Sequence, residues 1–417
     1  MASTLSHQAK RIARGLSRRL RDFGEVEPEG FDLDAVPSAQ IALYFADGLP
    51  KLYQLTQWLP VFDAQHDLQT IVVVRQVEVF QALQQRTGLR VLLVPTYEHL
   101  MALYDRADFH AVVYVNNGWT NFQSLAFQQA VHIHVNHGES DKICMVSNQA
   151  KAYDRVFVAG EAAVRRHRAA LAWFDESHLV RVGRPQLDLD VPVALPPHAG
   201  PTITYAPTWE GEDEANNYTS LDVYGVAIIE AALARPGARV VYKPHPRVGE
   251  SETPSVRRAH RQVIARMEQA AREQPDRGHR VLLDADVLGV IRGTDLLVAD
   301  VSSVTLDHLY LRPDSPIVLC DRRSDRSRLL ADAPLASAVH IVDERSIGTL
   351  PEDLDRLLAD DTQRAERQRM RDHYFDGIAP GESTARFWDA VRAQIDSHDR
   401  ALGDLSRVRV TMTGDSR

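Results

Sequence analysis

The sequence predicts an α/β protein with two halves, each built on a buried parallel sheet. From residue 40 onward, short β-branched or apolar runs alternate with stretches of helical periodicity, a pattern typical of βαβ units. The proline-rich segment 184–201 separates two such series and is predicted to be a linker. Two Rossmann-like halves joined in this way indicate a cleft between them. Ligands of open parallel sheets bind beyond the carboxyl ends of the strands.

In the first half, residues 31–183, strands alternate with amphipathic helices such as Val77–Gln85 and Leu100–Arg106. The predicted strands are Ile41–Phe45, Ile71–Val74, Val91–Val94, Ala111–Val115, Val131–Val135 and Val156–Val158. Continuous apolar runs of this kind are typical of parallel strands that helices cover on both faces.

The second half is assigned to residues 202–397 and repeats the alternation, with helical patterns at 222–235, 255–273 and 303–311. Its predicted strands are Ile203–Ala206, Val240–Tyr242, Val281–Leu283, Leu296–Val298, Ile317–Leu319 and Val339–Val342. Residues 350–397 are predicted to be mostly helical and to belong to this half. Residues 398–417 are predicted to form a flexible tail.

Composition excludes several classes of protein. The chain has 417 residues, of which 44% are hydrophobic and 25% charged, and no apolar run approaches the roughly 18 residues that span a bilayer. Two cysteines provide neither a disulfide framework nor a Cys-based zinc site, so we expect a reducing cytoplasm. The net charge of −9 argues against a nucleic-acid partner, which needs surplus Lys and Arg.

The N-terminal segment, residues 1–30, departs from this acidic balance and is predicted to be a basic amphipathic helix. Within residues 1–23, apolar side chains recur at steps of three and four, and six basic residues stand against the single acid Asp22. Such a helix can lie on an anionic membrane surface. The alternative is a solvated helix that packs its apolar stripe on the rest of the protein or on a partner.

Polar residues collect in four clusters at the carboxyl ends of predicted strands. The first is NHGESDK, residues 136–142, directly after Val131–Val135. A His followed by a Gly, here His137 and Gly138, suits a general base whose backbone turns sharply and leaves room for substrate. The alternative is a loop histidine with a structural hydrogen bond.

The second cluster, YAPTWEG at residues 205–211, places the hydroxyl of Thr208 at a strand exit, with Trp209 as a packing or cleft-wall residue. The third, YKPHPR at residues 242–247, brackets His245 with two prolines that fix φ on both sides of it. A rigid imidazole between Lys243 and Arg247 suits a phosphate. The alternative is a surface loop with solvated charges.

The fourth cluster lies within residues 294–319, where a strand ends at Asp300 and a helix begins after Ser302 and Ser303. Hydroxyls and free N–H groups at a helix N-terminus form an anion site. Asp307, one turn into the helix, can accept a hydrogen bond from a ribose or polyol hydroxyl. The alternative for the serines is an ordinary helix cap.

Other common motifs are missing from the sequence. No GxGxxG follows the first strand, and neither a Walker-type GKT or GKS nor an HExxH occurs. Nicotinamide oxidoreductases, P-loop NTPases and HExxH metalloproteases are therefore disfavoured. No cofactor and no metal site is expected.

Taken together and in this order, the four clusters resemble the CDP-glycerol glycerophosphotransferase family, the teichoic-acid primases and polymerases. The family pattern contains HG-x-x-x-K, YAPTW, K-x-HP and D-x-SS-x-x-x-D segments. Their counterparts are His137–Gly138 with Lys142, Tyr205–Trp209, Lys243 with His245–Pro246, and Asp300 with Ser302, Ser303 and Asp307. The resemblance covers roughly residues 110–325.

The resemblance implies a GT-B architecture with an N-terminal acceptor half and a C-terminal nucleotide-donor half. It implies transfer of a polyol phosphate from a CDP-activated donor to a hydroxyl of a lipid-linked or polysaccharide acceptor, in the synthesis of a cell-envelope polymer such as teichoic acid or capsule. His137 would be the base, with Gly138, Glu139 and Lys142 on the acceptor side. The donor-binding residues would be Thr208, Lys243, His245, Arg247, Ser302, Ser303 and Asp307.

The sequence departs from the family in the loop after Gly138, which reads Glu139–Ser140–Asp141 where members commonly carry Thr and Pro. Two acids there can alter acceptor choice. A GT-B glycosyltransferase that uses a nucleotide sugar is the alternative function, and a non-catalytic polysaccharide- or lipid-binding protein is disfavoured by His137, His245 and the double Ser. The expected location is the cytoplasm, peripheral on the inner face of the cell membrane.

Overall fold

The computed structural model describes residues 38–414, with side chains to residue 406, so the predicted helix of residues 1–30 lies outside the described residues. Within this part of the chain, thirteen strands form two parallel sheets with helices on their faces. The predicted fold class, α/β with two Rossmann-like halves, is confirmed.

The first sheet has seven strands among the described residues, in the order β3-β2-β1-β4-β5-β6-β7. They are β1 (Ile41–Phe45), β2 (Thr70–Val74), β3 (Arg90–Leu93), β4 (Ala111–Tyr114), β5 (Val131–His134), β6 (Arg155–Val158) and β7 (Leu179–Arg181). The sequence analysis missed β7, because this edge strand is three residues long and none of them is buried.

Short helices connect these strands and cover the sheet. They are α1 (Leu52–Thr56), α2 (Leu59–Asp63), α3 (Val77–Leu83), α4 (Tyr97–Arg106), α5 (Asn121–Ser124) and α6 (Glu161–Ala170). Apolar clusters form on both faces of the sheet: Ile41, Leu43 and Phe45 point to one face, and Ala42 and Tyr44 to the other. This two-sided burial explains why β1 is apolar throughout.

The second sheet has six strands in the described chain, in the order β10-β9-β8-β11-β12-β13. They are β8 (Thr202–Ala206), β9 (Arg239–Tyr242), β10 (Arg280–Val281), β11 (Leu296–Ala299), β12 (Ile317–Cys320) and β13 (His340–Val342). The strand predicted at Val281–Leu283 is shorter and begins one residue earlier, because its pairing with β9 ends at Tyr242.

Eight helices follow in the second part of the described chain, and those at Leu221–Ala234, Pro254–Glu273 and Ser303–Leu311 match the three helical patterns of the sequence. They are α7 (Leu221–Ala234), α8 (Pro254–Glu273), α9 (Val287–Arg292), α10 (Ser303–Leu311), α11 (Arg326–Asp332), α12 (Leu350–Ala359), α13 (Arg364–Phe375) and α14 (Glu382–Gly414). No helix among residues 38–414 is long and apolar enough to cross a bilayer.

Both sheets reverse their strand order at a central strand. β1 pairs with β2 on one side and β4 on the other, and β8 pairs with β9 and β11 in the same way. The carboxyl ends beside such a reversal open a crevice in which ligands bind. The segment 184–201 joins the halves without a strand.

The last helix differs from the prediction in two ways. α14 continues to Gly414, where the sequence predicts a flexible tail from residue 398. It also packs on the first half, because Phe387 and Trp388 lie in the same apolar cluster as Trp58 and Phe62. Ring centroids of Phe62 and Trp388 are 5.2 Å apart. The apolar residues of α14 therefore complete the core of the first sheet rather than that of the second.

Candidate active site

His137 is held at the exit of β5 by a left-handed turn. Asn136 has φ of 54°, a conformation that Asn tolerates better than most residues. Its side-chain oxygen accepts the backbone N–H of His137 over 2.8 Å, and its carbonyl accepts Nε1–H of Trp58 over 2.6 Å. The strand, the turn and an indole buried in the core thus set the position of the imidazole.

His245 follows β9 on the other side of the cleft. Its backbone N–H donates to the carbonyl of Pro207 over 3.0 Å, which ties it to the loop after β8. Nδ1 accepts the backbone N–H of Arg247 over 3.2 Å. A neutral ring with Nδ1 occupied in this way carries its proton on Nε2, so His245 presents a hydrogen-bond donor.

Tyr53 stands between the two imidazoles. Its ring centroid lies 5.8 Å from that of His137 and 5.2 Å from that of His245, edge-on in both cases. The sequence analysis missed Tyr53, although it belongs to α1, the first helix after the carboxyl end of β1. Applying the carboxyl-end rule to β1 would have found it.

Both imidazoles are neutral near pH 7. Burial of His137, with the cations Arg184 and Lys142 nearby, lowers its pKa to about 3. Burial of His245 and then the charge of Lys142 lower its pKa well below the usual range. A neutral imidazole can accept a proton, and the same cations attract an anion.

A hydrogen-bonded chain connects the halves through Lys142. Its Nζ donates to Oγ1 of Thr208 over 2.7 Å, and both residues are buried. The backbone N–H of Thr208 donates in turn to Oδ2 of Asp300 over 2.7 Å. Burial lowers the pKa of Lys142 to about 8 and raises that of Asp300 to about 7.

The N-terminus of α10 faces the loop of His137 closely. A Cβ on Gly138 would lie 3.0 Å from Cβ of Ser303 and 3.3 Å from Nη1 of Arg184. A side chain at this position would require Ser303 or Arg184 to shift by a few tenths of an ångström, so the glycine permits the close approach. Ser302 is the N-cap of α10, and its side chain makes no capping hydrogen bond with the helix. Its hydroxyl lies instead 3.4 Å from Oγ1 of Thr305, a side chain of the same helix.

Arg184, at the start of the linker, is a second residue that the sequence analysis missed. Its Nη2 lies 3.2 Å from Oδ1 of Asp307, and both side chains are buried. Its Nε and Nη1 are buried without a hydrogen-bond partner among the described residues. The sequence analysis treated residues 184–201 as a proline-rich linker and therefore assigned Arg184 no role in the site.

The acids of the first cluster contact helices α6 and α13. Glu139 and Asp141 both pair with Arg166 of α6; Nη1 of Arg166 lies 2.8 Å from Oδ1 of Asp141. Tyr374 of α13 donates its hydroxyl to the other oxygen of Asp141. Burial raises the pKa of Asp141 to about 7.

Two predicted phosphate ligands have other partners in this structure. Nζ of Lys243 donates to the carbonyl of Leu283 over 3.1 Å, which leaves two of its three protons. The guanidinium of Arg247 stacks 3.5 Å over the ring of Trp209 and lies 3.2 Å from Glu212. Both cations nonetheless act on the pKa of His245, so they contribute to the positive potential of the cleft.

The site has no evident metal centre in the described part of the chain, where no three His, Cys, Asp or Glu side chains are grouped to hold an ion. It combines one neutral imidazole from each half, a helix N-terminus with two serines, and the cations Lys142 and Arg184. Such a site can bind a phosphate-bearing ligand on one wall and accept a proton on the other.

Two Rossmann-like halves that meet across such a cleft define the GT-B class of fold. A variant of the wall teichoic acid polymerase TagF matches with a TM-score of 0.57 at 15% identity, over 94% of this chain and 97% of that chain. The UDP-GlcNAc 2-epimerase from Neisseria meningitidis, bound to UDP-GlcNAc, matches with a TM-score of 0.52 at 11% identity, over 85% of this chain and 100% of that chain. At such low identities, these matches establish likeness of fold alone.

The sequence narrows the class further. Residues 64–322 match the pattern of the CDP-glycerol:poly(glycerophosphate) glycerophosphotransferase family. The chain belongs to this family of transferases, and the resemblance drawn from the four clusters is confirmed. No curated protein matches the chain by sequence.

The lowered pKa of Lys142 predicts an anion affinity that falls in mild alkali. Below its pKa of about 8 the ammonium is charged, and the charge is lost as the pH rises through that value. Because the ligand-free protein loses this charge, its affinity for inorganic pyrophosphate is expected to fall about tenfold between pH 7 and pH 9. Calorimetry measures this change in pyrophosphate affinity in wild type and in Lys142→Arg. The guanidinium of the variant stays charged at both pH values, whereas the titration of pyrophosphate itself affects both proteins equally. An equal pH dependence in the two proteins contradicts the role of Lys142.

Proposed function

We propose that the protein transfers a glycerol-phosphate-like polyol phosphate from a CDP-activated donor to a hydroxyl of a lipid-linked or polysaccharide acceptor, in the synthesis of a cell-envelope polymer. The observation that carries this proposal is the pair of neutral imidazoles, His137 and His245, on opposite walls and in contact with the same ring of Tyr53. Membership of the glycerophosphotransferase family supports the choice of donor.

In this proposal His137 is the general base. Its pKa of about 3 leaves the imidazole unprotonated at neutral pH, and its Nδ1 is without a partner among the described residues. The acceptor hydroxyl gives its proton to the imidazole while its oxygen forms a bond to the β-phosphorus of the donor. The bond from this phosphorus to the bridging oxygen breaks, and CMP leaves with the electron pair.

The donor pyrophosphate binds on the opposite wall. The N-terminus of α10, with Ser302 and Ser303, supplies hydroxyl and backbone N–H donors. His245 adds the proton on Nε2, and Thr208 adds its hydroxyl. Lys243 and Arg247 contribute charge, and Asp307 accepts from a glycerol or ribose hydroxyl. Catalysis then consists mainly of positioning and of stabilising phosphate charge.

The first test uses His137→Ala. Wild type is expected to release CMP from CDP-glycerol and to transfer glycerol phosphate to a hydroxyl acceptor, detected by mass spectrometry. The variant loses about 10²–10⁴-fold in turnover, the typical contribution of a general base, while calorimetry shows unchanged donor affinity.

The control for this test is His110→Ala, which removes a histidine just before β4, at the amino end of the strands. A variant at His137 with near-normal turnover at saturating substrate would refute the assignment. Transfer from a UDP-, GDP- or CMP-sugar in place of CDP-glycerol would favour the nucleotide-sugar glycosyltransferase instead.

The double variant Ser302→Ala, Ser303→Ala tests the donor wall. Loss of one hydrogen bond to a charged phosphate costs about 1.5–3 kcal/mol, so affinity for the CDP-donor falls at least about tenfold by calorimetry. Ser255→Ala is the matched control, because Ser255 lies in the first turn of α8 and donates to Asp222. Unchanged affinity in the double variant would place the phosphates elsewhere.

Residues 1–23 provide the membrane contact in this proposal, on the cytoplasmic face of the cell membrane. Their basic residues gain about 1 kcal/mol each near anionic lipid, an attraction that salt screens. Deleting residues 1–23 should abolish sedimentation with anionic vesicles and leave activity on a soluble acceptor intact, because the deletion removes none of the cleft residues. Equal binding of the full chain to anionic and neutral vesicles would exclude the electrostatic contact.

A further inference from the structure

Tyr53 lies between the two walls of the cleft but belongs to none of the four clusters. The family pattern matches residues 64–322, so Tyr53 also lies outside it. Its ring contacts His137 of the first half and His245 of the second, with ring centroids 5.8 and 5.2 Å away. In the proposed function the acceptor hydroxyl meets the first imidazole and the donor pyrophosphate meets the second. The phosphoryl group that passes between them therefore comes next to Tyr53.

A chain of side-chain amides fixes how the hydroxyl of Tyr53 is hydrogen-bonded. The backbone N–H of Gly118 can only donate, so the atom of Asn116 that it meets over 3.2 Å is the amide oxygen. Nδ2 of Asn116 then donates to Oδ2 of Asp47 over 3.0 Å and to Oε1 of Gln54 over 2.8 Å. This leaves Nε2 of Gln54 to donate to the phenol oxygen of Tyr53, over 3.2 Å. Within the protein, the phenol oxygen is thus an acceptor.

This direction leaves the proton of the Tyr53 hydroxyl available to a ligand. A phenol carries one proton, and no side chain or carbonyl accepts it among residues 38–414. Burial raises the pKa of Tyr53, whereas the hydrogen bond from Gln54 and the charge of Arg247 lower it by less. The phenol therefore stays protonated at neutral pH and presents a hydrogen-bond donor that the amide chain already orients.

The charges nearby favour an anionic oxygen as the acceptor of this proton. Arg247 of the donor wall is close enough for its charge to act on the phenol. Arg184 and Lys142 act in the same way on the adjacent His137. A charged oxygen accepts a stronger hydrogen bond than a neutral one, and phosphoryl transfer spreads charge over the nonbridging oxygens. A nonbridging phosphate oxygen is therefore the ligand atom that fits.

We propose that Tyr53 is a further catalytic residue, whose hydroxyl donates a hydrogen bond to a nonbridging oxygen of the phosphoryl group under transfer. The phenol keeps its proton throughout and stabilises the charge on that oxygen. The inference rests on the proposed function. It adds a donor-binding residue from the half to which the family resemblance assigns the acceptor, so that both walls of the cleft hold the phosphates.

Tyr53→Phe tests this hydrogen bond in the full-length protein, because it removes the hydroxyl and keeps the ring against both imidazoles. By calorimetry, its affinity for inorganic pyrophosphate is expected to lie about 10–100-fold below that of wild type, the loss of one hydrogen bond to a charged group. Tyr97→Phe is the matched control and should bind like wild type, because Tyr97 is 45% exposed and follows β3 at the edge of the first sheet. Unchanged affinity in Tyr53→Phe would overturn the proposal.

Gln54→Glu tests the direction of the amide chain with almost no change of shape. The carboxylate still accepts from Asn116, but it cannot donate to Tyr53 and takes the hydroxyl proton instead. Its pyrophosphate affinity is therefore expected to fall about as far as that of Tyr53→Phe. In the double variant Gln54→Glu, Tyr53→Phe the two losses should be less than additive. Additive losses would mean that the two side chains act independently, and would overturn the direction assigned to the proton.

A sulfur-substituted donor separates contact with the phosphate from a structural role of the ring. CDP-glycerol with sulfur in place of one nonbridging oxygen of the β-phosphate exists as two diastereomers. Because sulfur is the weaker hydrogen-bond acceptor, wild type is expected to turn over the two at different rates, and their ratio should narrow several-fold in Tyr53→Phe. A ratio that stays the same while both rates fall would make Tyr53 structural and overturn the proposal.

Pyrophosphate binding and turnover together separate the role of Tyr53 from the proposed function. If wild type does not turn over CDP-glycerol while Tyr53→Phe still weakens pyrophosphate binding, Tyr53 remains a phosphate ligand and the proposed function falls. If wild type transfers glycerol phosphate and Tyr53→Phe does so at the same rate, the proposed function stands and the role of Tyr53 falls.

Discussion

The buried carboxyl group of Asp300 joins the three segments that form the cleft wall with Thr208 and Ser302. Its two oxygens accept the backbone N–H groups of Thr208 and Ser220 over 2.7 and 3.1 Å, and its carbonyl accepts the hydroxyl of Thr305 over 2.7 Å. One residue thus joins the loop after β8, the start of α7 and the start of α10. Through Thr208 the same network reaches Lys142 in the other half. The first Asp of the D-x-SS-x-x-x-D segment therefore organises the backbone around the N-terminus of α10, where we propose that the donor phosphates bind.

The two acids of the first cluster form a second network. Glu139 and Asp141 enclose Arg166, and Tyr374 binds the free oxygen of Asp141. These contacts compensate the guanidinium and tie the loop of His137 to α13. The two acids therefore hold the loop of His137 in place through Arg166 and Tyr374.

Much of the fold and about half of the site follow from local pattern. The apolar runs predict twelve of the thirteen strands of the described chain to within two residues at each end, and the carboxyl-end rule identifies the loops of His137, Thr208, His245 and Ser302. Arg184 and Tyr53 were not predicted, because their roles come from tertiary contacts. Arg184 pairs with Asp307 of the other half, and the ring of Tyr53 contacts two histidines from different loops. The position of α14 was not predicted for the same reason. Its amphipathic pattern indicates that one face is buried, but it does not identify the half of the protein on which that face packs.

The return of α14 to the first half has a consequence for how the chain folds during synthesis. Phe387 and Trp388 fill the core between Trp58, Phe62 and the first sheet, and they lie more than 200 residues after β7, the last strand of that sheet. Domains generally fold as they leave the ribosome, N-terminal first. Here the N-terminal half emerges first and completes its core last, so its aromatic surface stays uncovered while the whole second half is being made. We expect the nascent chain to expose this apolar surface during that interval, and a truncated product to expose it permanently.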